Sequence, residues 1–368
     1  MRWIVRGLLG GLVVLAAVLA CALLYRAWAQ RDAARFLVIE TPHGIDEAGF
    51  VTIGGVPQWI TVRGHDRRNP VVLVLHGGPG GPMVGQALPL LEWERHFVVV
   101  HWHQPGAGRT FGASGRAIDP SVTIQSIARD GHEVAGHLRQ RLGVQRIVLL
   151  GWSWGSALGI HMVKSRPDLF SAFFGTGQVV NMRDGEAVAY TRVLAKARQR
   201  VDAGAIADLE RIGPPPYDSL ADIGRHRKWA ARYEGYASPF ELFVTEFLAP
   251  RASLRDMSDL VRGLLRSQEH FFGASMDGPF LDTDLRRLGP RFEVPIFVVQ
   301  GTEDDYTPPE LSRSYVEWID APVKEFVGLE GAGHFALVSH AAAFLGVMQD
   351  RLRTLDPPAL PVNGATTR

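Results

Sequence analysis

Cysteine is almost absent from this chain. The 368 residues include one, Cys21, so no disulfide can form within the chain. The chain also has almost no excess of either charge. Its 39 Lys and Arg nearly balance its 38 Asp and Glu, and the formal net charge at pH 7 is +1. Without a basic excess or a basic stripe, the chain has no field that would gather nucleic acid, and we expect no nucleic-acid partner.

Signatures of cofactor and metal sites are missing as well. Gly106 and Gly108 lack the third glycine and the helix opening that a dinucleotide or phosphate site requires. His101 and His103 lie on one face of a predicted strand, but no Cys, Asp or Glu at ligand-like spacing accompanies them. We therefore expect neither an organic cofactor nor a metal ion.

The longest apolar run lies at the N-terminus. It extends over 19 residues from Gly7 to Tyr25, enough to cross the hydrocarbon core of a bilayer. The apolar core of a secretory signal has only about 7 to 15 residues. We therefore interpret residues 1–29 as a single-pass membrane anchor, which places the folded domain outside the cytoplasm. The alternative is cleavage near Ala29, which releases a secreted or periplasmic protein.

Apolar runs alternate with helical spacing through the first half of the chain. Runs at 71–75, 97–102, 147–150 and 170–174 predict buried parallel strands, and 124–142 predicts a helix. This alternation predicts a mostly parallel, doubly wound α/β sheet, with a helix-rich insertion that we call the lid. The predicted boundaries are a linker at 30–47, core segments at 48–181 and 291–356, the lid at 182–290 and a flexible tail at 357–368.

A candidate nucleophile follows one of these strands. The string Gly-Trp-Ser-Trp-Gly at 151–155 lies between an apolar strand and a helix-like segment. In a nucleophile elbow the strand turns sharply into the helix, and the flanking glycines avoid clashes across the turn. This context predicts that Ser153 is exposed at the sheet edge as a nucleophile.

Serine requires a general base and a carboxylate that orients it. In the chain order typical of such elbows, the acid precedes the histidine and each follows a strand. Asp304 follows the predicted strand 295–300, and His334 follows the apolar segment 323–329. We assign them as acid and base, with Asp305 and His340 as the alternatives.

The oxyanion of an acyl-transfer reaction needs backbone N–H donors that are already in position. The loop His-Gly-Gly-Pro-Gly at 76–80 follows the strand 71–75 and supplies one of them. Gly78 and Trp154, the residue after the serine, are the predicted donors. Gly77 and Trp152 are expected to contact the substrate. The two tryptophans, Trp152 and Trp154, are expected to form walls of an apolar acyl pocket, to lie in the core, or both.

These motifs together resemble the proline iminopeptidase branch of the α/β-hydrolase fold. The resemblance covers residues 48–355 and includes Gly-x-x-Asp-x-x-Thr-Pro at 301–308. It implies a serine peptidase or acyl hydrolase that uses Ser153, Asp304 and His334. It also implies lid carboxylates that recognise the substrate amine, and Glu234 is the first candidate because of the Tyr-Glu-Gly turn at 233–235, ahead of the other lid glutamates Glu241 and Glu246.

One loop departs from the family pattern. Where relatives have Asp-Gln-Arg-Gly-x-Gly at the border of the site, this chain has His-Gln-Pro-Gly-Ala-Gly at 103–108 and lacks both charges. The resemblance implies an aminopeptidase that releases N-terminal residues, such as proline, from small peptides. The altered loop favours an esterase or amidase as the alternative. A non-catalytic binding protein on the same fold is the alternative of another class.

Overall fold

The molecule is organised around a twisted sheet, seen in a computed structural model that describes residues 2–235 and 239–355. The sheet contains eight strands within these residues, in the order β1-β2-β4-β3-β5-β6-β7-β8. β1 and β2 form an antiparallel hairpin, β2 pairs antiparallel with β4, and the remaining pairs are parallel. The strands are β1 (Ile45–Ile53), β2 (Val56–Gly64), β3 (Val71–Leu75), β4 (Val98–Trp102), β5 (Ile147–Trp152), β6 (Phe170–Thr176), β7 (Ile296–Gly301) and β8 (Lys324–Leu329).

Helices cover both faces of the sheet, so the parallel strands are buried on two sides. Along β3, Leu73 belongs to one hydrophobic cluster while Val72 and Val74 belong to the other, because successive side chains point to opposite faces. The helices outside the lid are α1 (Arg2–Ala34), α2 (Gly108–Ala113), α3 (Ile124–Leu142), α4 (Trp154–Ser165), α10 (Pro309–Trp318), α11 (Ala336–Ser339) and α12 (Ala341–Thr354).

The segment between β6 and β7 is helical and carries a small core of its own. Its helices are α5 (Met182–Gln199), α6 (Ala203–Ile212), α7 (Leu220–Tyr233), α8 (Pro239–Leu248) and α9 (Leu254–Phe272). Val193, Leu209 and Trp229 are buried together between α5, α6 and α7. This arrangement gives the lid its own packing, separate from the two layers on the sheet.

The predicted N-terminal boundaries differ from the structure. α1 continues to Ala34, and β1 begins at Ile45, within the stretch 30–47 expected to be a linker. Ile45 is buried and pairs with Gly64, so the hairpin begins before residue 48, the predicted start of the folded domain. The polar residues at 46–47 lie in a strand because β2 supplies their hydrogen-bond partners. The predicted tail at 357–368 lies outside the described residues.

Helix α1 contains the apolar N-terminal run. Within the described residues, one helix is long and apolar enough to cross a membrane, and its apolar part is not buried against the protein. A membrane anchor and a signal sequence both have this character.

The carboxyl ends of the parallel strands meet at one edge of the sheet. The loops after β3, β5, β7 and β8 therefore lie close together beneath the lid, the position where open α/β sheets bind ligands. These loops carry the four motifs selected from the sequence.

Candidate active site

Ser153 occupies a sharp turn between β5 and α4. Its backbone has φ 56° and ψ −120°, a conformation that side-chain-bearing residues rarely adopt. The glycines on either side make the turn possible. A Cβ on Gly155 would collide with the carbonyl oxygen of Leu75, and one on Gly151 with that of Gly155. The local sequence therefore holds the serine in the strained geometry expected of a nucleophile elbow, at the wall of a cavity.

Asp304 and His334 lie side by side although 30 residues separate them in the chain. The Nδ1 atom of His334 is 3.1 Å from both carboxylate oxygens of Asp304. Asp304 is fully buried, and its Oδ1 accepts hydrogen bonds from the backbone N–H groups of Tyr306 (2.9 Å) and Thr307 (2.8 Å). Because Nδ1 faces the carboxylate, Nε2 is the ring nitrogen left to accept a proton.

Two further side chains hold this pair, and their roles do not follow from the sequence patterns. The Thr307 hydroxyl donates to Asp304 Oδ2 (2.7 Å) and lies 3.2 Å from His334 Nδ1. The Gln300 amide nitrogen lies 3.2 Å from the same carboxylate oxygen. Aspartates in turns commonly accept hydrogen bonds from the backbone N–H groups two and three residues ahead. The Asp-x-x-Thr spacing was therefore the sequence signal from which the position of Thr307 could have been predicted.

The alternative acid and base lie elsewhere. The Asp305 carboxylate forms ion pairs with two cations of α5, Arg192 (3.1 Å) and Lys196 (2.7 Å). The Nδ1 atom of His340 lies 2.9 Å from the hydroxyl of Ser339. The structure thus brings Asp304, rather than Asp305, to the imidazole of His334.

The loop after β3 lies against the serine. Gly77 and Gly78 both line the cavity that Ser153 lines, and a Cβ on Gly77 would lie 3.2 Å from the Ser153 Cβ. Gly78 has φ 121°, which favours glycine. Trp154 begins α4, so its backbone N–H has no partner within the helix. Gly78 therefore shares the cavity with Ser153 and Trp154 follows the serine directly, and their N–H groups stay the predicted oxyanion donors.

The two tryptophans beside the serine differ in position. Trp152 lines the cavity, and its indole N–H donates to the carbonyl oxygen of His334 (3.0 Å). The Trp154 indole is fully buried against Phe271 and Phe280, with ring centroids 4.5 and 4.7 Å away. The expectation that Trp154 forms a wall of the acyl pocket is therefore wrong for its side chain, because lid aromatics cover it.

The cavity has a volume of about 310 Å³ and is mainly apolar. The charged lid residues among its described lining are Glu186 and Arg227, which pair at 2.8 Å. Burial alone would raise the pKa of Glu186, but Arg227 and His226 hold it below the ordinary value. The remaining lining includes Val179, Val180, Met182, Leu264, Gln268, Phe272, Phe280, Leu311 and Phe335.

Glu234, expected to meet the substrate amine, points to the catalytic loops instead. One carboxylate oxygen accepts from the N–H of Asp305 (2.7 Å) and the other from the N–H of His334 (2.8 Å). Glu234 is not among the residues that line the cavity. The assignment to amine recognition is therefore corrected. Glu234 joins the end of α7 to the loops of Asp304 and His334, and its burial beside Asp304 raises its pKa to about 8.

The loop at 103–108, which differs from the family pattern, lies behind the site. The side-chain oxygen of Gln104 accepts from the Trp154 indole N–H (2.9 Å), and its backbone N–H donates to His76 Nε2 (3.3 Å). His103 Nδ1 accepts from the backbone N–H of Arg109 (3.1 Å). The loop therefore supports the residues around the serine. It does not border the cavity, although the resemblance implied that it would.

Comparisons with known proteins identify the family of the chain. A protein family described as the alpha/beta hydrolase family matches residues 71–347. The chain is 29% identical over 319 residues to the probable aminopeptidase YbaC of Bacillus subtilis, covering 82% of this chain and 95% of the relative. It is 24% identical to the proline iminopeptidase of Saccharolobus solfataricus, covering 83% and 91%.

A solved structure shares the same architecture. The proline iminopeptidase of Mycobacterium smegmatis superposes with a TM-score of 0.58 at 20% identity, covering 83% of this chain and 98% of that one. At this identity, the superposition shows that the two proteins share a fold. The predicted mostly parallel sheet with an inserted helical lid is thereby confirmed.

Proposed function

The chain is a hydrolase that belongs to the alpha/beta hydrolase family, and we propose that it cleaves acyl bonds through an acyl intermediate on Ser153. The observation that carries this proposal is the position of the buried Asp304–His334 pair. His334 lines the same cavity as Ser153, Gly77 and Gly78, and the buried Asp304 lies behind it. A nucleophile, an oriented base and backbone donors are the three requirements of serine acyl transfer.

The proposed reaction follows from the roles of these atoms. Ser153 Oγ attacks the substrate carbonyl carbon while His334 Nε2 accepts its proton, and the carbonyl oxygen becomes an oxyanion that the N–H groups of Gly78 and Trp154 stabilise. His334 then gives the proton to the leaving amine or alcohol, which departs from the acyl-serine. A water molecule, deprotonated by the same nitrogen, attacks the acyl group, and release of the acid restores the Ser153 hydroxyl.

The proposed substrates are small peptides from which the N-terminal residue is released. The named relatives support this choice, and a cavity of about 310 Å³ suits one residue and part of the next. With Glu234 committed to the catalytic loops, Glu186 is the lid carboxylate that reaches the cavity and the candidate partner of the substrate amine.

A second candidate is a small carboxylic ester or non-peptide amide. The pairing of Glu186 with Arg227 favours it, because an ion pair leaves the cavity wall without net charge. A neutral substrate pays no desolvation penalty for a free amine in such a cavity.

Hydrolysis of a prolyl arylamide and of short-chain aryl esters by the full chain in detergent separates the two candidates. We expect arylamide turnover, with Glu186→Gln raising KM for the free amine but not for its N-acetylated analogue. Turnover of esters alone would establish the second candidate. Turnover of neither, with no reaction of Ser153 with a fluorophosphonate, would support a non-catalytic binding protein instead.

We also propose that α1 anchors the protein in a membrane with the catalytic domain outside the cytoplasm. The length and exposure of its apolar run support the anchor. A tag at the C-terminus and protease treatment of intact cells test the orientation. The tag is expected to be accessible from outside the cytoplasmic membrane, and a soluble product shortened near Ala29 would indicate cleavage instead.

A further inference from the structure

Large apolar side chains are exposed on two helices of the lid. Three of them lie on α9 at spacings of seven and four residues, which places them on one face of the helix. A fourth lies on α8. We call this set the lid stripe: Phe243 (49% exposed), Leu254 (51%), Val261 (40%) and Leu265 (58%). The three α9 residues share one exposed helix face, and contiguous apolar surface of this kind is typical of interaction sites.

Helix α1 is attached to the lid beside this stripe. Arg26 donates from Nε to the carbonyl oxygen of Phe247 (2.9 Å), and its guanidinium lies over the Phe247 ring at 5.1 Å. Gln30 donates to the carbonyl oxygens of Ala249 (2.7 Å) and Ala252 (2.9 Å). The segment at 247–252, which joins α8 to α9, therefore lies against the end of the apolar run, two residues before Leu254.

The aromatic residues of α1 indicate at which level of a bilayer the lid is attached to α1. Tyr25 ends the apolar run and Trp28 follows it; both are exposed, and their ring centroids lie 5.7 Å apart. Tyrosine and tryptophan at the end of a spanning helix lie at the level of the lipid headgroups. Arg26 lies between them in sequence, so the segment at 247–252 is at headgroup level when α1 spans a bilayer.

We propose that the lid stripe docks on the bilayer surface next to α1. The stripe begins where the lid meets α1, and its part on α9 extends over about 16 Å at 1.5 Å per residue. Arg255, Arg262 and Arg266 each follow a stripe residue by one position and are exposed, so they can reach anionic headgroups while the apolar side chains enter the interface. This inference rests on the proposed anchor and not on the proposed reaction.

The docked surface adjoins the active site. The same helix, α9, supplies Leu264 and Gln268 to the lining of the cavity. Leu264 and Leu265 are neighbours in the chain, so the lid stripe and this part of the cavity lining lie on adjacent faces of the same helix.

Spin labels in the full chain, reconstituted into nanodiscs of phosphatidylcholine and phosphatidylglycerol, test the docking. Leu265→Cys is labelled in a Cys21→Ser background, and collision with oxygen and with a nickel chelate is measured. Val323→Cys is the matched control. Val323 is partly exposed and precedes β8, so it lies at the opposite edge of the sheet from the site. A label on the native Cys21 reports insertion of α1.

We expect the ratio of oxygen to nickel accessibility at position 265 to exceed that at position 323 severalfold. Val261→Asp combined with Phe243→Asp is expected to remove this difference without changing hydrolysis of a water-soluble ester. Equal ratios at 265 and 323, or a label on Cys21 that remains open to nickel, would overturn the proposal. Because the readout requires no turnover, its failure is distinct from failure of the proposed reaction.

Discussion

Asparagine in place of Asp304 is expected to lower kcat/KM about 10⁴-fold while the protein remains folded. The carboxylate accepts a hydrogen bond from Nδ1 of His334, which keeps Nε2 free to take the serine proton. An amide can present its NH₂ group to Nδ1 and stabilise the opposite tautomer, in which Nε2 carries the proton and cannot act as a base. Steady-state kinetics on the best arylamide or ester measure the loss.

Asp305→Asn is the matched control, because it removes the neighbouring buried carboxylate from the same loop. Asp305 pairs with Arg192 and Lys196 of the lid and not with His334. We expect a loss of stability toward urea, since Arg192 and Lys196 each lose their buried carboxylate partner and keep only the exposed Glu310 and Glu303. The change in kcat/KM is expected to be about tenfold or less. A 10⁴-fold loss in Asp305→Asn together with near-normal Asp304→Asn would show that the acid has been assigned to the wrong residue.

Above pH 8, where Glu234 is ionised, glutamine in its place is expected to lower kcat/KM about 10- to 100-fold, although the side chain does not line the cavity. The two carboxylate oxygens accept from the N–H groups of Asp305 and His334, one in each catalytic loop. Glutamine offers one oxygen and directs its NH₂ group toward the other N–H donor, so one loop loses its support. Small displacements of catalytic groups have effects of this size on rate.

The same substitution is expected to change the pH dependence of stability. Burial and the nearby Asp304 raise the pKa of Glu234 to about 8, against 4.5 for an ordinary glutamate. Between these values the folded protein binds more protons at this site than the unfolded chain, so the free energy of unfolding falls as pH rises from about 4.5 to about 8. For one site the slope is at most about 1.4 kcal/mol per pH unit.

Urea unfolding of both proteins across this pH range measures the difference. Glu234→Gln has no proton to release there, so its profile is expected to be flatter than that of the wild type. Glu210→Gln serves as control, because Glu210 is an exposed lid carboxylate paired with Arg198. A Glu234→Gln profile with the same slope as wild type would contradict the linkage.

The sheet was predictable because its strands are continuous apolar runs. Buried parallel strands contain little else, so the runs at 71–75, 97–102 and 147–150 predicted β3, β4 and β5 with few errors in their bounds. The start of β1 was missed, because residues 45–47 were assigned to the linker. Its residues at 46–47 are charged, and they lie in a strand because they pair with β2. A local sequence pattern contains no information about that pairing.

In the candidate site, positions within a motif were predictable but side-chain directions were not. Gly151 is required by atoms of the turn itself and Gly155 by the backbone of the adjacent strand β3, so the string at 151–155 is informative. The directions of Trp154 and Glu234 depend on contacts with distant segments. Phe271 and Phe280 cover the indole, and the loops of Asp305 and His334 supply donors to the carboxylate. Pairing of Glu186 with Arg227 across 41 residues likewise has no local signal.

The most direct test of Ser153 as the nucleophile is intact-mass spectrometry after reaction with a fluorophosphonate, followed by peptide mapping. The full chain is predicted to gain one phosphonyl group, located on Ser153, and to lose hydrolytic activity in the same proportion. Ser153→Ala is predicted to gain none, while its circular dichroism and urea transition match those of the wild type. Labelling of the alanine variant, or wild-type labelling at another residue with full loss of activity, would contradict the assignment.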